Sequence, residues 1–319
     1  MKAFIKNKYG GPEVLRLEEV DFPELKEGHL IVKIFANSAN PADWHILRGK
    51  PFLGRFSFGL FKPKQKFLGA DFAGIVEQVG ENVSQFKVGD KVFGESLSSG
   101  VFAEYASVAE NICARIPDGI KFSEMACLPI AGLTALQALI THGKIKKGET
   151  VLINGASGGV GHFAVQIAKE YGANVTAVCS NKNVDFVKSL GADHVIAYDK
   201  ENIHQHTGKY NLIVDTNGNL NFQDFKRMGQ RGVVVGFTTI GHMISVVLRM
   251  ALSKFPLKQF TAKANNNDLE ILASLLKENK IEVHIDKTFP YEQIPDAINY
   301  IESMRTRGKV AMIWSNVEG

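Results

Sequence analysis

The stretch Val151-Leu152-Ile153-Asn154-Gly155-Ala156-Ser157-Gly158-Gly159-Val160-Gly161 constrains this chain more than any other. An apolar run suited to a buried strand enters a glycine-rich turn, and the turn enters a segment with helical spacing. Glycine at such a turn permits positive φ and lets backbone N–H groups approach a ligand closely. The N-terminus of the following helix adds about half a positive charge. The spacing Gly155, Gly158, Gly161 is a variant of the dinucleotide fingerprint, in the strand–turn–helix context that fingerprint requires. Gly155, Ser157, Gly158, Gly159, Val160 and Gly161 are therefore candidate pyrophosphate contacts, the other reading being a purely structural turn.

The surroundings extend the pattern. A helix is expected over residues 123–139, a buried strand over 151–154 and a helix over 159–171. That helix has Val160, Ala164, Ile167, Ala168 and Tyr171 on one stripe and Gly172 as its stop. Strands are expected at 174–179, 195–196, 212–215 and 233–237, with a helix at 183–190. Alternating helices and fully apolar strands predict a parallel sheet covered on both faces. Up to about residue 115 the pattern is different: short strands near 14–20, 29–35, 74–80 and 90–94, broken by glycine, predict a compact β-rich unit. A helix over 291–304 and a strand over 309–314 close the chain and fit either unit. At 319 residues, two domains in an α/β chain are expected.

Composition excludes several classes. Hydrophobic residues at 45% and charged residues at 22% are a globular balance, and a net charge of +4 gives no support for nucleic-acid binding. Cys113, Cys127 and Cys179 are too scattered for structural zinc or a disulfide framework. The first residues lack the apolar core of a signal peptide, and the apolar stretch 243–252 is short and carries Arg249. The expectation is a cytoplasmic protein with no membrane span.

The ribose end of the expected site selects the cofactor. A site for NAD carries Asp or Glu at the end of the second strand, to bond the ribose 2′-hydroxyl. Here the strand runs into Cys179-Ser180-Asn181-Lys182-Asn183, with no acid. Ser180 and Lys182 can bind a 2′-phosphate, so NADPH is expected; the alternative is an ordinary polar turn with a solvated lysine.

These residues sit inside a longer pattern. Asn40-Pro41-Ala42-Asp43, Gly69 to Val76, Val88 to Gly94, Leu133-Thr134-Ala135 and Arg307-Gly308-Lys309-Val310 stand in one order around the glycine turn. With them the chain resembles the medium-chain dehydrogenase/reductase superfamily, in its zinc-independent quinone oxidoreductase and enone reductase branch. The resemblance implies a GroES-like β-rich domain over 1–122, completed by 287–319, and a Rossmann domain over 123–286. It also implies a homodimer. Zinc members carry a Cys in the first segment and Gly-His-Glu in the second; here neither is present, so no metal is expected.

Without a Lewis acid, the implied chemistry is hydride transfer from NADPH to a quinone or to the C=C bond of an α,β-unsaturated carbonyl, with hydrogen-bond donors at the developing enolate. By the resemblance, Asn40 and His45 are the catalytic candidates. Asn40 also reads as a turn residue, His45 as a packing histidine and Asp43 as structural. Thr134, Tyr198, Asn217, Gly236, Phe237 and Lys309 match positions near the cofactor. Thr134 reads equally as a helix-lining residue, Tyr198 as core and Lys309 as a solvated lysine.

Two stretches stay open. The basic, aromatic run 49–66 reads as a loop lining an apolar substrate pocket, as a base-stacking surface or as a membrane-surface contact. Residues 243–255 read as a lid, a dimer contact or core. From another class, the alternative function is an NADPH-binding regulatory or RNA-binding protein with little turnover.

Overall fold

A computed structural model describes residues 1–314, apart from the side chains of Leu53 and Ser57. The chain divides into two compact units, one of residues 1–130, 264–277 and 285 onward, the other of 131–263 and 278–284.

The second unit carries the strand–helix alternation. Its six strands are all parallel, in the spatial order His194–Ala197, Asn174–Cys179, Thr150–Asn154, Tyr210–Asp215, Gly229–Val234, Leu257–Gln259. Numbered within the unit this is 3-2-1-4-5-6, so the order reverses at Thr150–Asn154, and ligands of such sheets bind beyond that strand's C-terminal end. Val151, Leu152, Ile153, Leu212, Ile213 and Val214 are completely buried, as a sheet covered on both faces demands.

Three expectations need correction. The helix Gly159–Glu170 is not striped: every residue from Gly161 to Ala168 is buried, whereas Tyr171, assigned to the apolar face, is 38% exposed. A second layer causes this. Gln166 donates to the Glu282 carbonyl (3.0 Å) and accepts from the Glu282 amide (2.7 Å), closing the face a stripe would leave in water. The single helix expected over 123–139 is two, Phe122–Ala126 and Pro129–Leu136, followed by a wider turn over Gln137–His142. Pro129 supplies no N–H and disfavours helical backbone at Leu128. The strand expected at 233–237 ends at Val234, which leaves Gly236 and Phe237 in the loop beyond it.

The first unit is β-rich. Its main sheet runs Ile285–Pro290, Lys309–Ile313, His29–Ala39, Asp71–Val79, Lys91–Glu95, Cys113–Arg115, with Tyr105–Ala109 also on His29–Ala39. Lys2–Ile5 pairs with Arg16–Glu19 in a separate hairpin. The tail strand is antiparallel to His29–Ala39, with Val310 opposite Ala39. The helix Ile294–Glu302 buries Ile294, Ala297, Ile298 and Ile301 against Phe4, Leu15 and Leu47. The helix Asn266–Lys277 groups with this unit, and Asn266 donates to the Glu110 and Cys113 carbonyls at 2.9 and 2.8 Å. Among the described residues, no helix is long and apolar enough to cross a membrane.

Candidate active site

The glycine turn of the second unit is built from its strand end outward. Gly155 has φ +82°, and a Cβ there would lie 2.7 Å from Thr216 Oγ1. Gly161 is required by packing instead: its Cβ would lie 2.1 Å from the Gly155 carbonyl oxygen, because the helix crosses the turn at backbone contact. Gly158 is different. It is the extended N-cap of Gly159–Glu170, and a Cβ there would meet only the Gly155 oxygen, at 3.5 Å. The first-turn amides of Gly159, Val160 and Gly161 have no carbonyl partner within their helix. Ser157, Gly158, Gly159 and Val160 are half-buried, so the turn is open to a ligand at its rim. This combination of a packing-forced glycine and an open rim glycine is what a pyrophosphate cradle needs.

One carboxylate that the sequence reading passed over as a strand end organises the neighbouring loop. Buried Asp215 accepts from Asn154 Nδ2 (2.7 Å) and from the amides of Asn217 (3.1 Å), Gly218 (2.8 Å) and Leu220 (2.9 Å). Asn154 Nδ2 also reaches Asn219 Oδ1 at 2.6 Å. The Val235 amide donates to the Asp215 carbonyl and the Thr238 amide to the Gly218 carbonyl, at 3.0 and 3.2 Å. Asn217, Gly236 and Phe237 are thus brought together beside the cradle. The signal was present as an Asp ending a buried strand before Asn217-Gly218-Asn219.

The expected ribose corner lies at the next strand ends. Asn183 Nδ2 donates to Ser157 Oγ (3.0 Å), which ties the turn 180–183 to the cradle. Ser180 is half-buried at its start and Lys182 is exposed. Tyr198 is 56% exposed and so is no core tyrosine; its amide donates to the Cys179 carbonyl. The sequence reading missed Asp199, whose Oδ1 accepts from the Asn181 amide at 2.8 Å. Thr134 is buried in Pro129–Leu136.

The first unit holds Asn40, Asp43, His45 and Lys309, three of them buried in one polar network. Lys309 Nζ donates to Asn40 Oδ1 (2.6 Å) and lies 3.3 Å from Asp71 Oδ2. Asn40 Nδ2 donates to Asp71 Oδ2 (2.8 Å) and to the Ser38 carbonyl (3.2 Å), and the Ile130 amide donates to Asp71 Oδ1 (2.9 Å). Burial pushes the Asp71 carboxyl above its ordinary range, against the pull of Lys309, Asn40 and the Ile130 amide. Lys309 is therefore no solvated lysine: it is 3% exposed and faces a carboxylate. Asn40, expected to donate to a substrate oxygen, has both amide protons engaged within the protein. Asp71, the hub of this network, was read only as a missing zinc ligand.

Asp43 Oδ2 accepts from the Asn40 amide at 2.8 Å, the first-turn role of a helix-capping acid in Pro41–Arg48. His45 follows on the same helix, its ring stacked on Trp44 with centroids 3.6 Å apart. Its Nδ1 lies 3.1 Å from the Lys50 carbonyl, which can only accept, so Nδ1 carries the proton and Nε2 is left as an acceptor. Burial also lowers the His45 pKa, which favours this neutral form. Of the two roles expected of His45, donor to a carbonyl oxygen or proton relay, this tautomer leaves Nε2 free only to accept. The donor set does not suit zinc: the Asp71 carboxylate faces the Lys309 ammonium, and burial pushes the Cys127 thiol up to about 12.

Residues 26–118 match the family described as alcohol dehydrogenase GroES-like domain, and residues 190–312 match zinc-binding dehydrogenase. The chain is 36% identical over 314 residues to the chloroplast envelope quinone oxidoreductase homolog of Arabidopsis thaliana, covering 93% of each. It is 33% identical to the NADPH-dependent alkenal/one oxidoreductase, chloroplastic, of the same plant, over 98% of this chain and 79% of that one. The solved quinone oxidoreductase from Coxiella burnetii superposes with a TM-score of 0.88 at 29% identity, covering 99% of both chains.

Proposed function

Because the chain belongs to the quinone oxidoreductase and enone reductase branch of the medium-chain dehydrogenase/reductase superfamily, we propose that it is an NADPH-dependent, zinc-independent oxidoreductase. Its substrates are quinones or the C=C bond of α,β-unsaturated carbonyls. The observation that carries this reading is the glycine turn, closed to a Cβ at Gly161 and open at Gly158, at the strand-order reversal of a parallel sheet.

In this reading Gly155 and the amides of Ser157 to Gly161 hold the pyrophosphate, and Ser180 and Lys182 hold the 2′-phosphate. Tyr198 packs by the adenosine, and Thr134, Asn217, Gly236 and Phe237 border the nicotinamide half. Bound NADPH supplies a hydride to a carbon conjugated to a carbonyl. The protein supplies position, and the proton comes from water. Lys309 and Asp71 fix Asn40, and Asn40 starts the helix that carries His45. Nε2 of His45, an acceptor, takes a hydrogen bond from one O–H of a water whose other O–H protonates the substrate's α-carbon, and the hydroxide left behind is neutralised by bulk water. Asn40 acts as a positioning residue.

The exposed apolar side chains of Ile240–Ala251, Ile244 at 48% and Leu248 at 59%, support a homodimer, to be checked by sedimentation velocity. The three free, buried thiols suit a reducing compartment, and we place the chain in the cytoplasm, to be checked by cell fractionation.

The test of function is the loss of reduced-cofactor absorbance with NADPH and with NADH, against enones, enals, quinones and simple aldehydes, with and without chelator. Chelator-insensitive, NADPH-selective turnover that requires an enone or a quinone supports the proposal. NADPH binding without turnover on the whole panel would replace it with a regulatory, cofactor-sensing role.

A further inference from the structure

The segment 49–67 holds Lys50, Arg55, Lys62, Lys64 and Lys66 and no acid. The chain has 37 Lys and Arg against 33 Asp and Glu, so outside this segment it carries 32 against 33. The net positive charge of the protein is concentrated in one short stretch. The same stretch exposes its largest apolar side chains: Phe52 at 58%, Phe56 at 65% and Phe61 at 91%, with Leu60 beside Phe61 also exposed. Lys50, Lys62 and Lys64 are exposed around them.

This is no loosely tethered loop. Tyr9 Oη donates to the Gly59 carbonyl at 2.6 Å, and the Lys64 amide donates to the Phe58 carbonyl at 2.8 Å. The Arg55 guanidinium lies over the Tyr9 and Phe52 rings, 4.4 and 5.4 Å from their centroids, and its Nε donates to the Gly49 carbonyl. The backbone is held from below while the rings are held out in water.

We propose that segment 49–67 docks the protein on an anionic lipid bilayer, with Phe56, Leu60 and Phe61 entering the interface and the lysines meeting lipid phosphates. Exposed apolar side chains interleaved along the segment with lysines and no acid are complementary to that surface in hydrophobicity and charge. Nucleic acid fits less well. Leu60, exposed beside Phe61, has no ring on which a base could stack but suits an acyl interface, and Arg55 covers the Phe52 ring. The docking does not depend on the oxidoreductase reading.

The test is co-sedimentation of the full chain with vesicles of phosphatidylcholine alone and of equimolar phosphatidylcholine and phosphatidylglycerol. Two variants accompany it, Phe56→Ser with Phe61→Ser and Lys62→Glu with Lys64→Glu. Both pairs are exposed, so unchanged thermal unfolding is expected to show that the variants fold. Salt-sensitive binding to the anionic vesicles only, weakened about tenfold or more by each variant pair, supports the proposal. Absence of binding, or binding that both variant pairs retain, overturns it. So does saturable capture of a single-stranded RNA without vesicle binding, or a self-association that the Phe pair abolishes without vesicle binding.

Discussion

The ammonium of Lys309 donates to Oδ1 of Asn40 across 2.6 Å, joining the first residue of the tail strand to the N-cap of the helix that carries His45. Asp71 completes a triangle of groups that are each almost wholly buried. Two opposite charges taken out of water hold together only while both are present. Lys309→Met leaves Asp71 facing no cation and is expected to cost about 3–5 kcal/mol in urea unfolding. Lys309→Met combined with Asp71→Asn should cost less than the sum of the single changes. Additive costs would mean the two residues do not act as a pair.

The two kinds of glycine in the cradle separate folding from binding. At Gly161 an added Cβ would lie 2.1 Å from a backbone oxygen, so Gly161→Ala must move the helix and is expected to lower the unfolding midpoint by several degrees. At Gly158 the nearest atom is 3.5 Å away and the backbone is extended, so Gly158→Ala should leave the midpoint within about 2 °C. In the rim where a pyrophosphate would lie, that same methyl is expected to weaken NADPH at least about tenfold, measured by cofactor fluorescence. A Gly158→Ala protein that binds NADPH normally would place the phosphates elsewhere.

Much of this was legible in the sequence because it is local. A strand, a glycine turn and a helix announce themselves within a dozen residues, and Asn174–Cys179 lies where its apolar run predicts. What was not legible is reciprocal contact between distant segments. Asn40 looks like a free amide until Lys309 and Asp71 are placed on either side of it. The helix 159–170 looks striped until Glu282 closes its second face, and nothing near residue 160 encodes that. His45 reads as either a donor or a proton relay because sequence does not show that the Lys50 carbonyl holds its Nδ1 proton.

Cofactor selectivity should reside in Lys182. It is exposed at the end of the second strand, where a charge-assisted contact to a 2′-phosphate is worth about 1.5–3 kcal/mol. Lys182→Ala is therefore expected to raise the Kd for NADPH about tenfold or more and to leave that for NADH nearly unchanged. Asp199, at the same turn, accepts from the Asn181 amide and opposes a phosphate, so Asp199→Asn should tighten NADPH over NADH. Equal losses for both cofactors in Lys182→Ala would remove phosphate recognition from this corner.

Lys6 and Asp43 give the fold an unusual pH dependence. Lys6 is 1% exposed and its Nζ has no hydrogen-bond partner; burial lowers its pKa to about 8, against a smaller upward pull from Asp43. Burial in turn pushes Asp43 up to about 7. Between the ordinary carboxylate range and pH 7 the folded chain holds the extra proton on Asp43, so stability falls as pH rises through that window. From about pH 8 to the ordinary lysine value of 10.5 the unfolded chain holds the extra proton on Lys6, so stability is regained as pH rises. This pair therefore contributes a minimum of stability near pH 7–8. Lys6→Met removes the amine and its desolvation, and is expected to stabilise the protein at pH 7 by an amount of the order of 3 kcal/mol. That advantage should shrink steadily above pH 8 and vanish past 10.5. Urea unfolding of both proteins from pH 6 to 11 measures it, and a difference that does not change with pH would show that the fold leaves the Lys6 pKa at its ordinary value.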